Sequence, residues 1–195
     1  MGRLNARVYI ALIHHPIYNK KGEKITTTVT NLDLHDIARA GRTYSIEKYY
    51  VVNHLKSQQQ LVARMRDYWT SGYGASYNEN RHQAFSVLEI ADSLDQVISL
   101  VSANNDREPE LIATDARPYP GSISYREMRN RIYWADRPYI LVFGTGWGLT
   151  ETTLNRCQHM LEPVYGRGEF NHLSVRSAAS IIMDRLLAGE WWDDG

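Results

Sequence analysis

The sequence predicts an α/β fold, a mainly parallel sheet with helices on both faces, on three observations. Short runs rich in Val, Ile and Tyr alternate along the chain with longer stretches whose apolar residues recur at helical spacing. Strands separated by helices of this size pair in parallel and are covered on both sides. The run Tyr139-Ile-Leu-Val-Phe-Gly-Thr-Gly-Trp-Gly-Leu149 leads into the helix-start signal Thr150-Glu151, and in parallel sheets ligands gather beyond the carboxyl ends of strands.

Taken in order, residues 7–13 read as a buried first strand and residues 32–41 as the first helix, with Asn31 as its candidate N-cap. A strand at 48–52 precedes a helix over 55–69, where Leu55, Val62, Met65 and Trp69 share one face. The Gly- and Ser-containing stretch 71–80 reads as a turn-rich loop. Strand 86–90 leads to Ser93-Leu-Asp-Gln96, a capping box opening a helix that aligns Leu94, Val97, Ile98 and Val101. A short strand at 110–114 precedes a basic helix over 125–133. The strand ending at the glycines, a final short strand and a helix over 175–187 complete the set.

Length and composition suit one domain spanning residues 1–195, because 43% apolar content supplies a single substantial core and no Pro/Ser-rich linker divides the chain. The N-terminal residues lack an apolar signal core, and no apolar run reaches the roughly 18 residues needed to span a bilayer, so a cytoplasmic protein without membrane contact is expected. The single cysteine, Cys157, excludes an intramolecular disulfide and a cysteine-based zinc cage, and is expected to pack on a helix; no metal site is predicted. With 22 basic and 22 acidic residues the chain carries no overall basic footprint, so any nucleic-acid surface is local. Two patches qualify: residues 18–24 with Arg39 and Arg42, and Arg126, Arg129, Asn130 and Arg131 on the basic helix. For each patch taken separately, a solvated face is a simpler explanation than RNA contact.

Two downstream segments narrow the reading. Met160-Leu-Glu-Pro-Val-Tyr-Gly-Arg-Gly-Glu-Phe-Asn-His-Leu-Ser174, followed by the small-residue helix from Val175, resembles the third motif of the SPOUT superfamily (alpha/beta knot) of RNA methyltransferases. The Phe-Gly-Thr-Gly-Trp-Gly-Leu segment is similar to the second motif, and Asn31-Leu-Asp-Leu-His-Asp-Ile-Ala-Arg39 to the first. The match is nearest to the S-adenosylmethionine-dependent branch that carries a Gly-Thr-Gly-Trp-Gly-Leu loop. Two departures stand out: Gly146 occupies a place where the second motif commonly has Glu, and His172 one where the third often has Asn.

The resemblance implies a C-terminal deep trefoil knot and S-adenosylmethionine as cofactor. It places Gly144, Thr145 and Gly146 near the ribose and Leu161, Pro163, Val164, Tyr165, Gly166 and Leu173 around the adenine. Thr114 forms the opposite rim, and Ser174 and Ser177 open the last helix beside the site. It makes Arg39 the candidate catalytic residue, with Asp36 and Asn31 on the same helix as further candidates. A guanidinium rarely gives up its proton, so positioning RNA by bidentate hydrogen bonds suits Arg39 better than acting as a base. His35 and Asp36 are proton acceptors in reach of the same helix face.

The implied function is methyl transfer from S-adenosylmethionine to tRNA or rRNA by in-line displacement, which depends mainly on alignment. The alternative is a noncatalytic S-adenosylmethionine-binding sensor or RNA-binding module, a reading that the missing Glu and neutral charge keep open. A dinucleotide-binding oxidoreductase is disfavoured because no N-terminal strand runs into Gly-x-Gly-x-x-Gly. The resemblance also implies a homodimer. Val175, Ala179, Ile182 and Leu186 supply an apolar helix face for it, small Ala178 permits close approach, and Trp191 and Trp192 follow.

Overall fold

The computed structural model describes residues 6–189. Its centre is a six-stranded sheet formed by β1 (Val8–Ile13), β4 (Tyr49–Val52), β5 (Leu88–Ala91), β6 (Glu110–Ala113), β7 (Tyr139–Gly144) and β8 (His159–Met160). Their spatial order is β5-β4-β1-β7-β6-β8, and every pairing is parallel. A separate antiparallel ribbon joins β2 (Ile17–Tyr18) to β3 (Lys24–Ile25).

Central strands are apolar on both sides because both sides are covered. From β1, Val8, Ile10 and Leu12 enter one core with Tyr49, Val51, Leu141 and Phe143, whereas Tyr9, Ala11 and Ile13 enter the other with Val52, Ile140 and Val142. The first core is closed by α1 (Asn31–Thr43), α2 (Lys56–Thr70), α4 (Glu79–Phe85), α6 (Tyr125–Trp134) and α8 (Val175–Leu187). The second is closed by α5 (Leu94–Asn105), with Leu149, Ile17 and the partly buried Leu154 of the short α7 (Glu151–Leu154). Both faces are thus covered as the alternation predicts, with five helices on one side and far fewer on the other.

Four local expectations change. Residues 71–80 do not form an open loop: α3 (Tyr73–Tyr77) fills much of the stretch and α4 begins at Glu79. Gly74 permits this, since a Cβ there would lie 2.7 Å from Trp69 Cε3 and 2.8 Å from Tyr68 Cε1, so the glycine serves tight packing. Thr30, not Asn31, caps α1. The Thr30 hydroxyl accepts from the Asp33 backbone N–H and donates to Asp33 Oδ2 at 2.6 Å, which leaves Asn31 exposed in the first turn. Leu55 caps α2 from an exposed position and contributes nothing to that helix's buried face. Cys157 lies just beyond α7, not on a helix; its thiol meets the Thr153 carbonyl at 3.3 Å, and burial pushes its pKa up to about 12. Trp191 and Trp192 fall outside the described residues.

The carboxyl edge of β6 shows an unusual strand arrangement. Beyond β8 the Leu161 N–H donates to the Ala113 carbonyl, on one side of the segment. On its other side Ile123 N–H donates to the Met160 carbonyl and Glu162 N–H to the Ile123 carbonyl. The chain that leaves β6 at Ala113 and returns at Ile123 therefore straddles residues 160–162.

Candidate active site

Three loops, those that follow β7, β6 and β8, meet at the carboxyl edge of the sheet. The first begins at Gly144, where β7 ends; a Cβ there would come within 2.8 Å of the Leu149 nitrogen, so this tight reversal requires glycine. Gly146 and Gly148 have φ of +60° and +101°. Thr145 fastens the loop to the sheet, its hydroxyl donating to the Ile13 carbonyl at 3.0 Å. The ribbon clasps the loop from outside, through Trp147 N–H to the Tyr18 carbonyl and Tyr18 N–H to the Gly148 carbonyl. The space beside Gly146 is filled by this ribbon, since a Cβ would meet Ile17 Cδ1 at 2.8 Å. Its bareness serves the chain's own packing.

A buried polar chain lies beneath. Thr145 Oγ1 shares a 2.6 Å hydrogen bond with Thr27 Oγ1, which lies 3.0 Å from His14 Nδ1. Because Thr145 already donates to Ile13, the Thr27 hydroxyl must donate to Thr145, and His14 Nδ1–H donates to Thr27. Nε2 is then bare, buried and without a partner, consistent with a neutral imidazole whose pKa burial lowers to about 4 against the opposing pull of Asp33.

The second wall is the chain after β6. Thr114 Oγ1 donates to the Val142 carbonyl, and Asp115 accepts from Arg117 at 2.6 Å and from the Tyr119 hydroxyl at 3.1 Å. Burial alone would raise the Asp115 carboxyl pKa, but the hydrogen bonds and charge of Arg117 outweigh it and hold the group ionised below its usual range. A Cβ on Gly148 would lie 3.5 Å from Asp115 Oδ2, so this carboxylate stands beside the glycine loop that lacks the expected Glu.

The third wall runs from Leu161 to α8. Leu161 and Pro163 are buried, Val164 is half-buried, and Tyr165, Gly166, Phe170 and Leu173 are exposed. Asn171 donates to the Ala116 carbonyl at 2.8 Å and so ties this wall to the second. Ser174 caps α8, its hydroxyl accepting from Ser177 N–H and lying 3.0 Å from the Ser177 hydroxyl.

The three candidates on α1 part company. Asp36 lies 3.7 Å from the guanidinium of Arg176 on α8, which is also 3.9 Å from Asp33. Asn31 and Arg39 are exposed, and the structure gives Arg39 no side-chain hydrogen bond. Arg39 is still felt at His35, whose pKa is lowered by burial first, then by Arg81 and, more weakly, by Arg39, with Asp36 opposing. Sequence reasoning passed over Asp33, Arg176, Asp115, Arg117 and Trp147. Only Asp33 had a legible signal, the Thr30-x-x-Asp33 capping spacing.

These walls suit S-adenosylmethionine, which needs apolar surfaces for its adenine and polar groups for its charged ends. Trp147, Tyr165 and Leu173 are apolar surface left open around the loops, and Asp115 is an anion beside them. The clefts at the amino-terminal edge of the sheet lie elsewhere, between Arg7, Tyr44 and Leu187 and around Asn104, and share none of these residues. Among the described residues no group of three or more His, Cys, Asp or Glu side chains is placed to hold a metal.

Solved methyltransferase structures, among them one of the SpoU type, share this fold. A probable methylase family protein from Haemophilus influenzae superposes with a TM-score of 0.62 at 19% identity, covering 93% of this chain and 65% of that one. The SpoU methyltransferase AviRb from Streptomyces viridochromogenes, solved with S-adenosylmethionine, gives 0.58 at 14% identity over 95% of this chain and 58% of that one. Residues 7–188 match the model of the SAM-dependent RNA methyltransferase family, and the chain belongs to that family. An uncharacterised protein of Aquifex aeolicus is 43% identical over 185 residues, 95% of this chain and 90% of that protein. A tRNA (guanine-N(1)-)-methyltransferase of Nitratidesulfovibrio vulgaris is 36% identical over 95% of this chain, which spans only 43% of that protein's length. A protein of the same name from Oleidesulfovibrio alaskensis is 34% identical with the same coverage. The cofactor of the family is S-adenosylmethionine.

Proposed function

We propose that this chain acts as one methyltransferase domain that methylates tRNA or rRNA at the three converging loops. The observation that carries the reading is the passage of residues 160–162 between β6 and Ile123. It supports a deep trefoil knot, because a chain that ends in such a knot places a late segment between two parts of an earlier loop, and residues 160–162 are bonded to Ala113 on one side and to Ile123 on the other. That passage draws the glycine loop, the rim at Thr114 and the run from Leu161 to Ser177 into one cradle. In this reading Gly144, Thr145, Leu161, Pro163, Val164, Tyr165, Gly166 and Leu173 hold the cofactor, with Ser174 and Ser177 at its edge. Gly146 shapes the loop from behind.

The bound cofactor supplies an activated methyl group on sulfonium. The protein's part is to exclude water, align the RNA nucleophile and receive its proton. Arg39, exposed and without a partner side chain, is free to grip RNA, while Asp36, on the same helix and 3.7 Å from the Arg176 guanidinium, is the proton acceptor. The α8 face expected to carry a dimer is turned inward: Ala179, Ile182 and Leu186 are buried in the chain's own core with Val175 and Ala178 packed against it, so the homodimer of this proposal uses other surface. A place in the cytoplasm completes the proposal; among the described residues no helix is long and apolar enough to cross a membrane.

The test has two parts. Calorimetry should show S-adenosylmethionine binding that is weakened by replacing Leu173, and mass spectrometry of tRNA and rRNA nucleosides from cells lacking the gene should show one methylated nucleoside missing. An unchanged nucleoside profile with retained cofactor binding would favour the second reading, a cofactor-binding module. The two tRNA methyltransferases more than twice as long as this chain give that reading its footing.

A further inference from the structure

We propose that the face built by α1, α3 and α4 is a docking surface for single-stranded RNA, with Tyr73 and Tyr77 as its stacking platform. The inference deepens the reading of this chain as an RNA methyltransferase and rests on it.

The segment between α2 and α4 has a shape that a plain connection does not need. Gly74 is wedged against Trp69 and Tyr68 so closely that no Cβ fits, which fixes α3 to the end of α2. Tyr73 and Tyr77, one turn apart, then stand on its outer side with 71% and 72% of their surface exposed. Their rings are stacked, 5.9 Å between centroids and 23° between planes. Tyr68, 46% exposed, extends the aromatic surface toward Trp69, whose ring it meets edge-on at 4.9 Å.

Cations border this surface. The Arg81 guanidinium lies 4.7 Å over the Trp69 ring, and the His35 ring lies 5.6 Å from Trp69. Arg39 acts on the same His35, and Arg42, two turns beyond His35, continues that side of α1. Of the acidic groups nearby, Asp36 is paired with Arg176 and Asp67 with Arg66, whereas Glu79, bonded to the neutral Gln83 amide, keeps its charge at the α4 end of the face. Arg39 and Arg42 are exposed and show no carboxylate partner, while the half-buried Arg81 lies on the Trp69 ring at the border of the face. Flat exposed rings flanked by unneutralised guanidinium groups fit unstacked bases joined by phosphates, and fit a neutral protein surface poorly. The chain as a whole is neutral, so this local charge is a property of the face.

The face also leads to the site. Gly74, between the two tyrosines in α3, packs on Trp69, and Trp69 in turn meets Arg81 and His35, the latter on the helix that carries Arg39 and Asp36.

The probe is a fluorescently labelled oligouridylate of about a dozen nucleotides, a length within the range that aromatic platforms engage. Paired substitution Tyr73→Ala with Tyr77→Ala should weaken its binding by about tenfold or more, while Tyr73→Phe with Tyr77→Phe should retain it, since stacking needs the ring and not the hydroxyl. S-adenosylmethionine affinity, read by calorimetry, should stay at the wild-type value in both pairs and reports separately on the cofactor site. Equal oligouridylate affinity in wild type and the alanine pair would overturn the proposal. A shift of the alanine pair from dimer to monomer with RNA affinity intact would also overturn it and assign the face to a second copy of the chain. Loss of cofactor binding in the wild type would instead count against the methyltransferase reading, leaving the stacking result to be judged alone.

Discussion

Leu161 is held between Ala113 and Ile123: its N–H donates to the Ala113 carbonyl, while its backbone pairs in parallel with that of Ile123. Its side chain is 1% exposed and packs in the larger core. One residue thus joins the proposed threading to the packing under the cofactor loops. Leu161→Ala should lower stability by about 2–5 kcal/mol, the range for large-to-small changes at buried sites that cannot collapse. Urea unfolding measures it, and a loss under about 1 kcal/mol would mean that the segment is loosely held.

Gly146 is expected to matter through the fold first. At φ +60°, with Ile17 Cδ1 2.8 Å from the place of a Cβ, a valine brings both left-handed strain and a clash. Gly146→Val should therefore lose roughly 1–3 kcal/mol even without ligand. Unfolding midpoints equal to wild type in the absence of S-adenosylmethionine would refute this.

Stability should rise with pH between about 4 and 6.5. His14 has its folded pKa lowered to about 4 by burial, against 6.5 unfolded, so the unfolded chain binds more protons in that window. His15 and His35 are shifted in the same direction, mainly by partial burial. The contribution is complete above the unfolded value and is lost as pH falls toward the folded one. Acid titration of the urea midpoint should slope accordingly, and His14→Gln should flatten the slope. A midpoint that stays level from neutrality to pH 5 in the wild type would contradict the assignment.

Arg39 should serve transfer and not folding. Its side chain is exposed and makes no hydrogen bond in the described structure, whereas Leu34, Ile37 and Ala38 carry the packing of α1. Arg39→Ala should change stability by less than about 0.5 kcal/mol, the usual range for surface substitutions, and leave S-adenosylmethionine affinity intact. Methylation of the cognate RNA should fall by about a hundredfold, or more than about 2 kcal/mol in transition-state terms. Normal methylation by this variant would remove Arg39 from the site.

Much of the fold was legible because parallel strands and covering helices leave periodic marks. Residues 8–13 and 139–143 are continuous apolar runs since both of their faces are buried, and α5 and α8 align apolar residues at helical intervals over a full capping signal. The local chemistry of the glycine loop was equally readable, because a tight reversal at Gly144 and left-handed backbone at Gly146 and Gly148 tolerate few other residues. Residues 71–80 were misread for a related reason: glycine and serine suggest a turn, and only the Trp69 and Tyr68 rings pressing on Gly74 show that here glycine serves a packed helix.

What the sequence determined by itself was the set of elements, their parallel class and the short segments that carry the methyltransferase signature, since each depends on residues close together in the chain. Tertiary structure decided the partners. That Asp115 stands beside Gly148, that Arg176 reaches Asp33 and Asp36 from α8, and that residues 160–162 pass between Ala113 and Ile123 are contacts between segments far apart in sequence. No local periodicity encodes such contacts, because they follow from which strands lie next to each other in the sheet and from how the loops beyond them close.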